Sequence, residues 1–310
     1  MKKISIIVPC HNEEKNIFPF IEKINSDLNN VKDELEIIFV NDGSVDKTIE
    51  VINKVIKNDS RVKALDFSRN FGKEAAILAG MDYCEGDAAI IIDADLQMPI
   101  HYINDLIKLW HDGNKLVLTY KTKRSEGFKS KLAAKYYDVY NKMSNDKILN
   151  DALDFQIMDR EVIDVICSMR ERVRFFKGLT GYVGYKYQII PINIEERKEG
   201  TSDFSGLSRL FNYAFKSLAV HSNFPLILGL RAGFFVSVVA LIYMIYIIIK
   251  TMIKGVAVPG YASIIVIMLF MFAFVLCILG ILGYYIGLVY QECKDRPNYI
   301  IDHIYQHEED

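Results

Sequence analysis

Short apolar runs alternate with segments of helical periodicity in the amino-terminal two thirds of the chain. The runs predict strands at residues 4–8, 35–40, 62–67, 88–93 and 116–120, with a further strand-like stretch at residues 185–196. The segments between the first runs predict helices at residues 12–28 and 73–83, and another that ends near residue 58 and is capped by Ser44 or Asp46. Strands that alternate with helices of about 10 to 15 residues indicate a mostly parallel sheet covered on both faces. The pattern therefore predicts an α/β fold.

The last third of the chain has a different, more apolar pattern. Residues 232–249 carry no charge, and at about 1.5 Å per residue they reach about 27 Å, enough for a bilayer. Residues 264–289 form a longer uncharged stretch, and a short turn at residues 250–260 joins the two. We expect two transmembrane helices. Before them, apolar residues at helical spacing predict an amphipathic helix in the lipid interface, or else a helix packed on the α/β domain. These residues are Leu207, Leu210, Phe211, Ala214, Phe215 and Leu218.

Basic residues around the two predicted spans suggest their orientation. More of them flank the outer ends of the pair than occur in the turn between the spans, which favours cytoplasmic termini. The flanking residues are Arg209, Lys216, Arg231, Lys294 and Arg296, against Lys250 and Lys254 in the turn. We expect a cytosolic α/β domain at residues 1–205, a juxtamembrane amphipathic helix at 206–227, a transmembrane hairpin at 228–290 and a cytosolic tail at 291–310. The predicted location is the plasma membrane, with two passes.

Composition and motifs exclude several classes of protein. Lys+Arg 37 against Asp+Glu 39 gives a net charge of -2, which offers no electrostatic case for binding nucleic acid. The five cysteines are scattered without a C-x-x-C pair, so neither a disulfide framework nor a zinc site is indicated. The apolar run before His11 is too short for a signal peptide. The phosphate loops of dinucleotide-binding and P-loop enzymes are absent from the sequence.

Candidate chemistry begins where the fourth predicted strand ends. Asp93 and Asp95 follow its apolar run, and with Ala94 between them both can turn toward one Mg²⁺ or Mn²⁺. Such an ion usually takes its other ligands from substrate phosphates, which makes a nucleoside diphosphate the natural partner. A strand followed by an acidic turn is the alternative, because Asp-x-Asp is short. Asp42, at the end of the second predicted strand, is a candidate acceptor for a base or ribose, although turn chemistry alone also explains it.

Four motifs, in this order, resemble those of the inverting family 2 glycosyltransferases with the GT-A fold. They are IIVPCHNEE at residues 6–14, VNDGSVDKT at residues 40–48, SRNFGK at residues 68–73 and DADLQ at residues 93–97. Within that family the chain is similar to the polyprenyl-phosphate glycosyltransferases, namely bactoprenol glucosyltransferases and dolichol-phosphate mannose synthases. The resemblance implies a membrane enzyme that moves one sugar from a nucleotide sugar, expected to be a UDP-sugar, to polyprenyl (undecaprenyl) phosphate with inversion. It also implies a flippase and a second transferase that act later.

The resemblance implies roles for individual residues. DALDFQIMDR at residues 151–160 puts Asp154 at the position of the proposed catalytic carboxylate, to which we add Asp95. The expected metal ligands for Mg²⁺ or Mn²⁺ are Asp93, Asp95 and Gln97. The expected contacts to the nucleotide sugar are Pro9, His11, Glu13, Val40, Asp42, Lys73, Asp93, Ala94, Arg124 and Arg197. Because a polyprenyl phosphate is already an anion near neutral pH, we expect Asp154 to orient the acceptor more than to remove a proton.

Later segments also resemble the family. Residues 172–178 look like its segment near the acceptor, and residues 295–299 look like its Arg-Pro-x-Tyr ending. The chain departs from the family pattern at four positions, which we expect to affect donor and acceptor details but not the fold. Tyr, Asp, Lys and Arg are usual in relatives where this chain has, respectively, His11, Met98, Asp203 and Ile227.

Three other functions fit parts of the sequence. A processive polysaccharide synthase shares the fold, but such enzymes usually carry Gln-x-x-Arg-Trp, and the one tryptophan here is Trp110 in an early helix. A transferase that uses a hydroxyl acceptor and makes glycolipids directly is a nearer alternative. A non-catalytic membrane scaffold that keeps the fold is the third. The sequence leaves open which sugar is transferred and whether the chain forms a homo-oligomer.

Overall fold

The computed structural model describes residues 1–122, 152–172, 174–193, 224–254 and 260–307. The strands in these residues are β1 (Lys3–Cys10), β2 (Glu34–Asn41), β3 (Val62–Phe67), β4 (Ala88–Ile91), β5 (Leu116–Lys121), β6 (Ala152–Asp159), β7 (Tyr187–Ile192) and β8 (Ile301–Tyr305). The helices are α1 (Ile17–Asp27), α2 (Thr48–Ile56), α3 (Lys73–Tyr83), α4 (Tyr102–His111), α5 (Arg160–Ser168), α6 (Phe176–Tyr182), α7 (Phe224–Lys254) and α8 (Tyr261–Cys293).

The eight strands form one sheet in the order β7-β5-β6-β4-β1-β2-β3-β8. β1 lies parallel to both β2 and β4, β2 lies parallel to β3, and β5 lies parallel to β7. β6 runs antiparallel to β4 and β5, and β8 runs antiparallel to β3. The predicted mostly parallel α/β sheet is confirmed.

Apolar side chains cover both faces of the sheet. Because successive residues of a strand point to opposite faces, Ile6 packs in the cluster that contains Phe20 of α1, whereas Ile7 packs in the cluster that contains Leu78 of α3. Burying each of these side chains contributes about 1.5 to 3 kcal/mol. α3 lies so close to β1 that a Cβ on Gly80 would overlap the side chain of Ile7. Packing on both faces holds the strands in place, and the candidate polar residues lie at the carboxyl ends of these strands.

Several predicted boundaries shift in the structure. The helix predicted from residue 12 begins at Ile17, because Asn12 has a left-handed φ of 57° and cannot belong to a right-handed helix. Pro19 is tolerated since it lies in the first turn of α1, where its missing N–H has no partner to lose. β4 ends at Ile91, two residues before Asp93. At the start of α2 the N-cap residue is Lys47, whose side chain makes no capping hydrogen bond, and Asp46 just before it accepts the backbone N–H of Thr48 at 3.0 Å.

The segment predicted as a polar tail contains a strand. β8 pairs with β3 from Ala64 opposite Tyr305 to Phe67 opposite Ile301, with a shift of register between Asp66 and Phe67. The sequence does not predict this strand, because the polar Asp302 and His303 interrupt its apolar pattern and most of it is exposed. β8 occupies what would otherwise be the open edge of the sheet beside β3.

Two long helices form a unit separate from the sheet. α7 and α8 belong to this unit, whereas β1 to β8 and α1 to α6 belong to the other. The two predicted spans lie inside α7 and α8. In the part of the chain that the structure describes, one segment, Phe270–Cys293, is long and apolar enough to cross a membrane. The second span stays a prediction, and the predicted amphipathic helix lies outside the described residues.

Candidate active site

The carboxyl ends of three parallel strands bring the predicted site residues to one edge of the sheet. His11 follows β1, Asp42 follows β2 and Asp93 lies just beyond β4. A backbone hydrogen bond joins the carboxyl ends of β1 and β2: the N–H of Asp42 donates to the carbonyl of Cys10 at 2.9 Å. Ligands of open α/β sheets bind at this kind of edge.

Asp42 holds the loop at residues 68–73. Its carboxylate accepts the backbone N–H of Phe71 at 2.6 Å and that of Gly72 at 2.9 Å, and only 3% of the residue is exposed. Burial raises the pKa of Asp42, while these two N–H groups act in the opposite direction. The ring of His11 shares a hydrogen bond of 2.9 Å with the carbonyl oxygen of Asp42. Asn70 also approaches that ring, with its amide nitrogen 3.3 Å from Nδ1. The result is a compact mesh of hydrogen bonds at the end of β2.

A glycine lets two loops meet at this mesh. Gly43 has a φ of 58°, and a Cβ built there would overlap the backbone of Arg69 and Asn70. Glycine is the only amino acid that readily adopts this backbone conformation and also fits in so little space. The position after Asp42 is therefore restricted to glycine by geometry.

The other residues predicted to contact the nucleotide sugar differ in how accessible their side chains are. Pro9 and Val40 are partners in the β1–β2 ladder, and the side chain of Val40 is fully buried. Ala94, beyond β4, is also buried. The N–H of Glu13 donates to Oγ1 of Thr48 at 2.9 Å. Because their side chains are buried, Val40 and Ala94 can contribute only backbone atoms to this edge of the sheet. Arg124 and Arg197 lie outside the described residues.

Lys73, Asp93 and Asp154 form one ionic cluster. Nζ of Lys73 lies 2.6 Å from Oδ1 of Asp93 and 2.7 Å from Oδ2 of Asp154. Lys73 is the first residue of α3, and Asp154 lies on β6, which pairs with β4 and so brings a distant part of the chain beside Asp93. The side chains of Asp93 and Asp154 remain 32% and 27% exposed, which leaves them accessible to a ligand.

The electrostatics of the cluster keep Asp154 ionised. Burial pushes the pKa of Asp154 upward, but Lys73 and Lys177 together hold it below its usual range. At Asp93 burial prevails and raises the pKa, although Lys73 opposes the shift. Burial likewise disfavours the charged form of Lys73, yet the two carboxylates raise its pKa above the ordinary value. Lys73 therefore stays a cation at neutral pH.

The carboxylates at this edge suit a divalent cation that is completed by phosphate. Asp93 and Asp95 supply hard oxygen donors, and the N–H of Gln97 donates to Oδ1 of Asp95 at 3.1 Å, which orients that carboxylate. Among the residues that the structure describes, no three His, Cys, Asp or Glu side chains are grouped to hold a metal by themselves. Two carboxylates fit Mg²⁺ or Mn²⁺, because such an ion keeps waters and phosphate oxygens as its other ligands.

The segment resembling the acceptor region has mixed roles. Phe175 and Phe176 are buried, and Arg174 donates to the backbone carbonyls of Met169 and Ile166. These contacts are structural. Lys177 instead lies at the site, where it donates to the carbonyl of Ala152 at 2.7 Å and sits 3.8 Å from Oδ1 of Asp154.

Sequence reasoning missed Glu74. Its carboxylate accepts the N–H of Phe176 at 2.9 Å, which ties the start of α3 to the start of α6. Burial, reinforced by the nearby charge of Asp154, raises the pKa of Glu74 to about 7. The signal available in the sequence was only its place directly after Lys73, and an acidic residue in the first turn of a helix is ordinarily solvated.

Comparison with known proteins assigns the chain to a family. The family model described as "Glycosyl transferase family 2" matches residues 5–167 of this chain. The chain is 42% identical over 305 residues to the "Prophage bactoprenol glucosyl transferase homolog" of Escherichia coli (strain K12), covering 97% of this chain and 99% of that protein. It is 38% identical over 299 residues to the "Putative glycosyltransferase CsbB" of Bacillus subtilis (strain 168), covering 96% and 91%.

A solved structure supports the fold. The crystal structure of S. aureus TarS 1-349 in complex with UDP-GlcNAc matches with a TM-score of 0.50 at 16% identity, covering 71% of this chain and 66% of that one. At this identity the likeness concerns the architecture alone. Together with the extent and identity of the sequence matches, it leads to one conclusion: this chain belongs to the family 2 glycosyltransferases and is a glycosyltransferase with a GT-A-like fold.

Proposed function

We propose that this glycosyltransferase moves one sugar from a nucleotide sugar, a UDP-sugar in our proposal, to polyprenyl phosphate, and that the anomeric centre is inverted. The observation that carries the proposal is the cluster of Lys73, Asp93 and Asp154 at the carboxyl edge of the sheet, where anionic donor and acceptor groups can both approach a cation. Similarity along nearly the whole chain to proteins named bactoprenol glucosyl transferases supports the choice of acceptor.

The donor side is the end of β2. The buried Asp42 and the ring of His11 form the surface beside which the nucleoside would lie. Asp93, Asp95 and Gln97 would hold Mg²⁺ or Mn²⁺ against the diphosphate, and the N–H of Gln97 already donates to Asp95. When bound, the ion supplies positive charge that stabilises the departing diphosphate. Lys73 supplies a second cation within reach of the same carboxylate.

The acceptor side is the neighbourhood of Asp154. Its lowered pKa means that it is a carboxylate at neutral pH, and a phosphate acceptor needs little help in losing a proton. An anionic side chain would repel an anionic acceptor, but Lys73 and Lys177 offset that repulsion. We assign Asp154 the task of orienting the attacking phosphate oxygen. The same lowered pKa makes Asp154 a weak base for removing a proton from a hydroxyl acceptor, because a general base works best with a pKa near the operating pH.

The apolar helices support attachment to a membrane. On α8, the side chains of Phe270, Phe272 and Ile286 are each about two thirds exposed, at 65%, 67% and 67%. An apolar surface along a helix of this length is stable in lipid rather than in water. We propose that α7 and α8 both cross the plasma membrane with the termini in the cytoplasm, so that a soluble donor and a lipid acceptor meet there. A flippase and a second transferase would then use the product, and the chain would act alone or as a homo-oligomer.

The reaction can be tested with the purified full-length protein in detergent. Undecaprenyl phosphate, Mn²⁺ or Mg²⁺ and a panel of radiolabelled UDP- and GDP-sugars would be supplied, with a chelator and the variant Asp93→Asn as controls. We expect one donor to give a lipid product that is labile to mild acid, and this product should disappear in both controls. An acid-stable lipid product would instead identify a hydroxyl acceptor. Metal-dependent donor binding without any transfer to undecaprenyl phosphate would remove polyprenyl phosphate as the acceptor.

A further inference from the structure

The segment after α8 returns to the sheet next to the donor side of the site. β8 extends the ladder beside β3, and the N–H of Ser68 donates to the carbonyl of Ile300 at 3.1 Å. One residue earlier, the ring of Tyr299 stacks on that of Phe67, with centroids 5.4 Å apart and planes 8° apart. The ending Arg-Pro-x-Tyr therefore has a defined place in the fold, directly at the start of the loop at residues 68–73.

A second anchor fixes the tyrosine from its other end. The hydroxyl of Tyr299 donates to Oδ2 of Asp82 at 2.7 Å. Asp82 lies on α3 and also accepts two hydrogen bonds from Arg170, at 2.7 and 3.0 Å. The ring and the hydroxyl thus bind different elements, β3 and α3. A side chain held at both ends transmits position better than one held by packing alone.

A short series of contacts joins this tyrosine to the donor side. Phe67 meets Phe71 edge to face with centroids 5.7 Å apart, and the guanidinium of Arg69 lies 4.1 Å from the ring centre of Phe71. The N–H of Phe71 then donates to the carboxylate of Asp42. Tyr299, Phe67, Phe71 and Asp42 therefore form a continuous path from the tail to the end of β2.

Hydrogen bonds hold the loop at Gly72, but packing does not. The N–H of Gly72 donates to Asp42, whereas its φ of 98° and the absence of any atom within 4 Å of where a Cβ would stand mean that no side chain packs at this position. Lys73, which holds Asp93 and Asp154, follows directly. A shift of the loop would move the N–H groups at Asp42 and the ammonium at Asp93 together.

We propose that Tyr299 is a positioning residue for the donor site. Its ring and hydroxyl hold Phe67 and Phe71 in place, and these fix the backbone N–H groups that orient Asp42. The tail is in this way part of the donor-binding structure, although it touches neither donor nor acceptor. The inference rests on the proposed function in one respect, the assignment of the end of β2 to the nucleoside of the donor.

The test uses the full-length protein in detergent and three variants. Tyr299→Leu removes the ring stack and the hydroxyl, whereas Tyr299→Phe removes the hydroxyl alone. Tyr187→Leu is the matched control, because Tyr187 is 48% exposed on β7 at the opposite edge of the sheet. The first readout is amide hydrogen exchange at residues 68–73 without nucleotide. The second is the dissociation constant for UDP and for GDP with Mn²⁺.

Tyr299→Leu should speed exchange of the amides of Phe71 and Gly72 by about tenfold while β1 and β4 stay protected. It should also weaken binding of the nucleoside diphosphate that the wild type binds by about tenfold, with a smaller effect for Tyr299→Phe and none for Tyr187→Leu. Unchanged exchange in both Tyr299 variants would overturn the inference, and Tyr299→Phe decides if Tyr299→Leu fails to fold. Faster exchange with unchanged affinity would overturn the role in donor binding. A wild type that binds neither nucleotide would overturn the proposed function itself, while the exchange readout still decides whether Tyr299 holds the loop.

Discussion

The two halves of the candidate site are built on different principles. Around Asp42, a buried carboxylate is matched by backbone N–H groups of Phe71 and Gly72, which carry no net charge and belong to the fold. Around Asp93, a partly exposed carboxylate is matched by the ammonium of Lys73, which is also bound to Asp154. The first arrangement is complete without a ligand. The second contains charges for which an incoming cation or phosphate must compete.

The difference has a consequence for binding. Under the proposed function, a nucleoside at Asp42 would meet a surface that is already in place, so its binding would require little ordering of the protein. A divalent ion bound at Asp93 would have to share that carboxylate with Lys73, so binding of the ion and the Lys73–Asp93 ion pair would be coupled. The diphosphate would compensate Lys73 for the weakened ion pair with Asp93, because it would give the ammonium a new anionic partner. We expect mutations in the ionic cluster to impair turnover, and mutations at Asp42 to impair affinity.

The largest effect is predicted for Asp93→Asn. Loss of this carboxylate removes a proposed metal ligand and one of the two carboxylates that pair with Lys73, so turnover should fall by about a hundredfold to a thousandfold. The measurement is initial rate at saturating donor across a range of Mn²⁺ concentrations. Asp112→Asn, at the end of α4, is the control and should retain full activity. Undiminished turnover of Asp93→Asn would contradict the metal assignment.

Asp154→Asn should separate turnover from donor affinity. We expect the rate with bound donor to drop about a hundredfold, because a neutral amide orients the acceptor less well and leaves Lys177 and Lys73 overcharged. Donor affinity should change less than threefold. Single-turnover kinetics together with calorimetric titration of donor would measure both. Asp164→Asn, whose side chain is 66% exposed, serves as the control. A parallel loss of affinity and rate would assign Asp154 to the donor instead.

Asp42→Ala should show the opposite separation. Each hydrogen bond to a charged acceptor contributes about 1.5 to 3 kcal/mol, so the freed N–H groups of Phe71 and Gly72 should weaken donor binding by about ten- to a hundredfold. The rate at saturating donor should remain within severalfold of the wild type. The donor affinity of Asp42→Asn, which keeps one acceptor oxygen, should lie between those of the wild type and Asp42→Ala. Equal affinity for all three proteins would show that this mesh does not support the nucleoside.

The smallest effect is predicted for Glu74→Gln and depends on pH. The pKa of Glu74 is about 7 in the fold against an ordinary 4.5, so its ionisation opposes folding increasingly between pH 4.5 and pH 7 and constantly above that. The amide cannot ionise yet can still accept the N–H of Phe176. We expect the variant to gain about 2 kcal/mol at pH 8 and about a quarter of that at pH 5. Apparent melting temperatures at both pH values measure the difference, and an equal shift at both would refute the assignment.

Local sequence patterns predicted the parts of the molecule that depend on neighbouring residues. The apolar runs gave β1 to β5 to within a few residues, and they put His11, Asp42 and Asp93 at strand ends that do converge. The start of α3 at Lys73 was also predicted correctly. Such features follow from periodicity, since a buried strand must be apolar and a ligand edge must be polar.

Contacts between distant residues could not be read in this way. The stack of Tyr299 on Phe67 and the burial of Glu74 against Phe176 both depend on how elements pack, which no local pattern encodes. The resemblance to a family singled out Asp154, but only the pairing of β6 with β4 explains why it lies beside Lys73. The sequence predicts that Asp42 accepts a hydrogen bond from a base or ribose. It does not predict that the backbone N–H groups of Phe71 and Gly72 also donate to this carboxylate.

The position of β8 also constrains how the enzyme is made. β8 follows α8 in the chain, so a ribosome translates it only after both long helices have been synthesised. Until then the edge of β3 has no antiparallel neighbour, and Phe67 has no Tyr299 against it. The nascent catalytic sheet can therefore be completed only after α7 and α8 have been synthesised, so the sheet of this enzyme matures after its apolar helices.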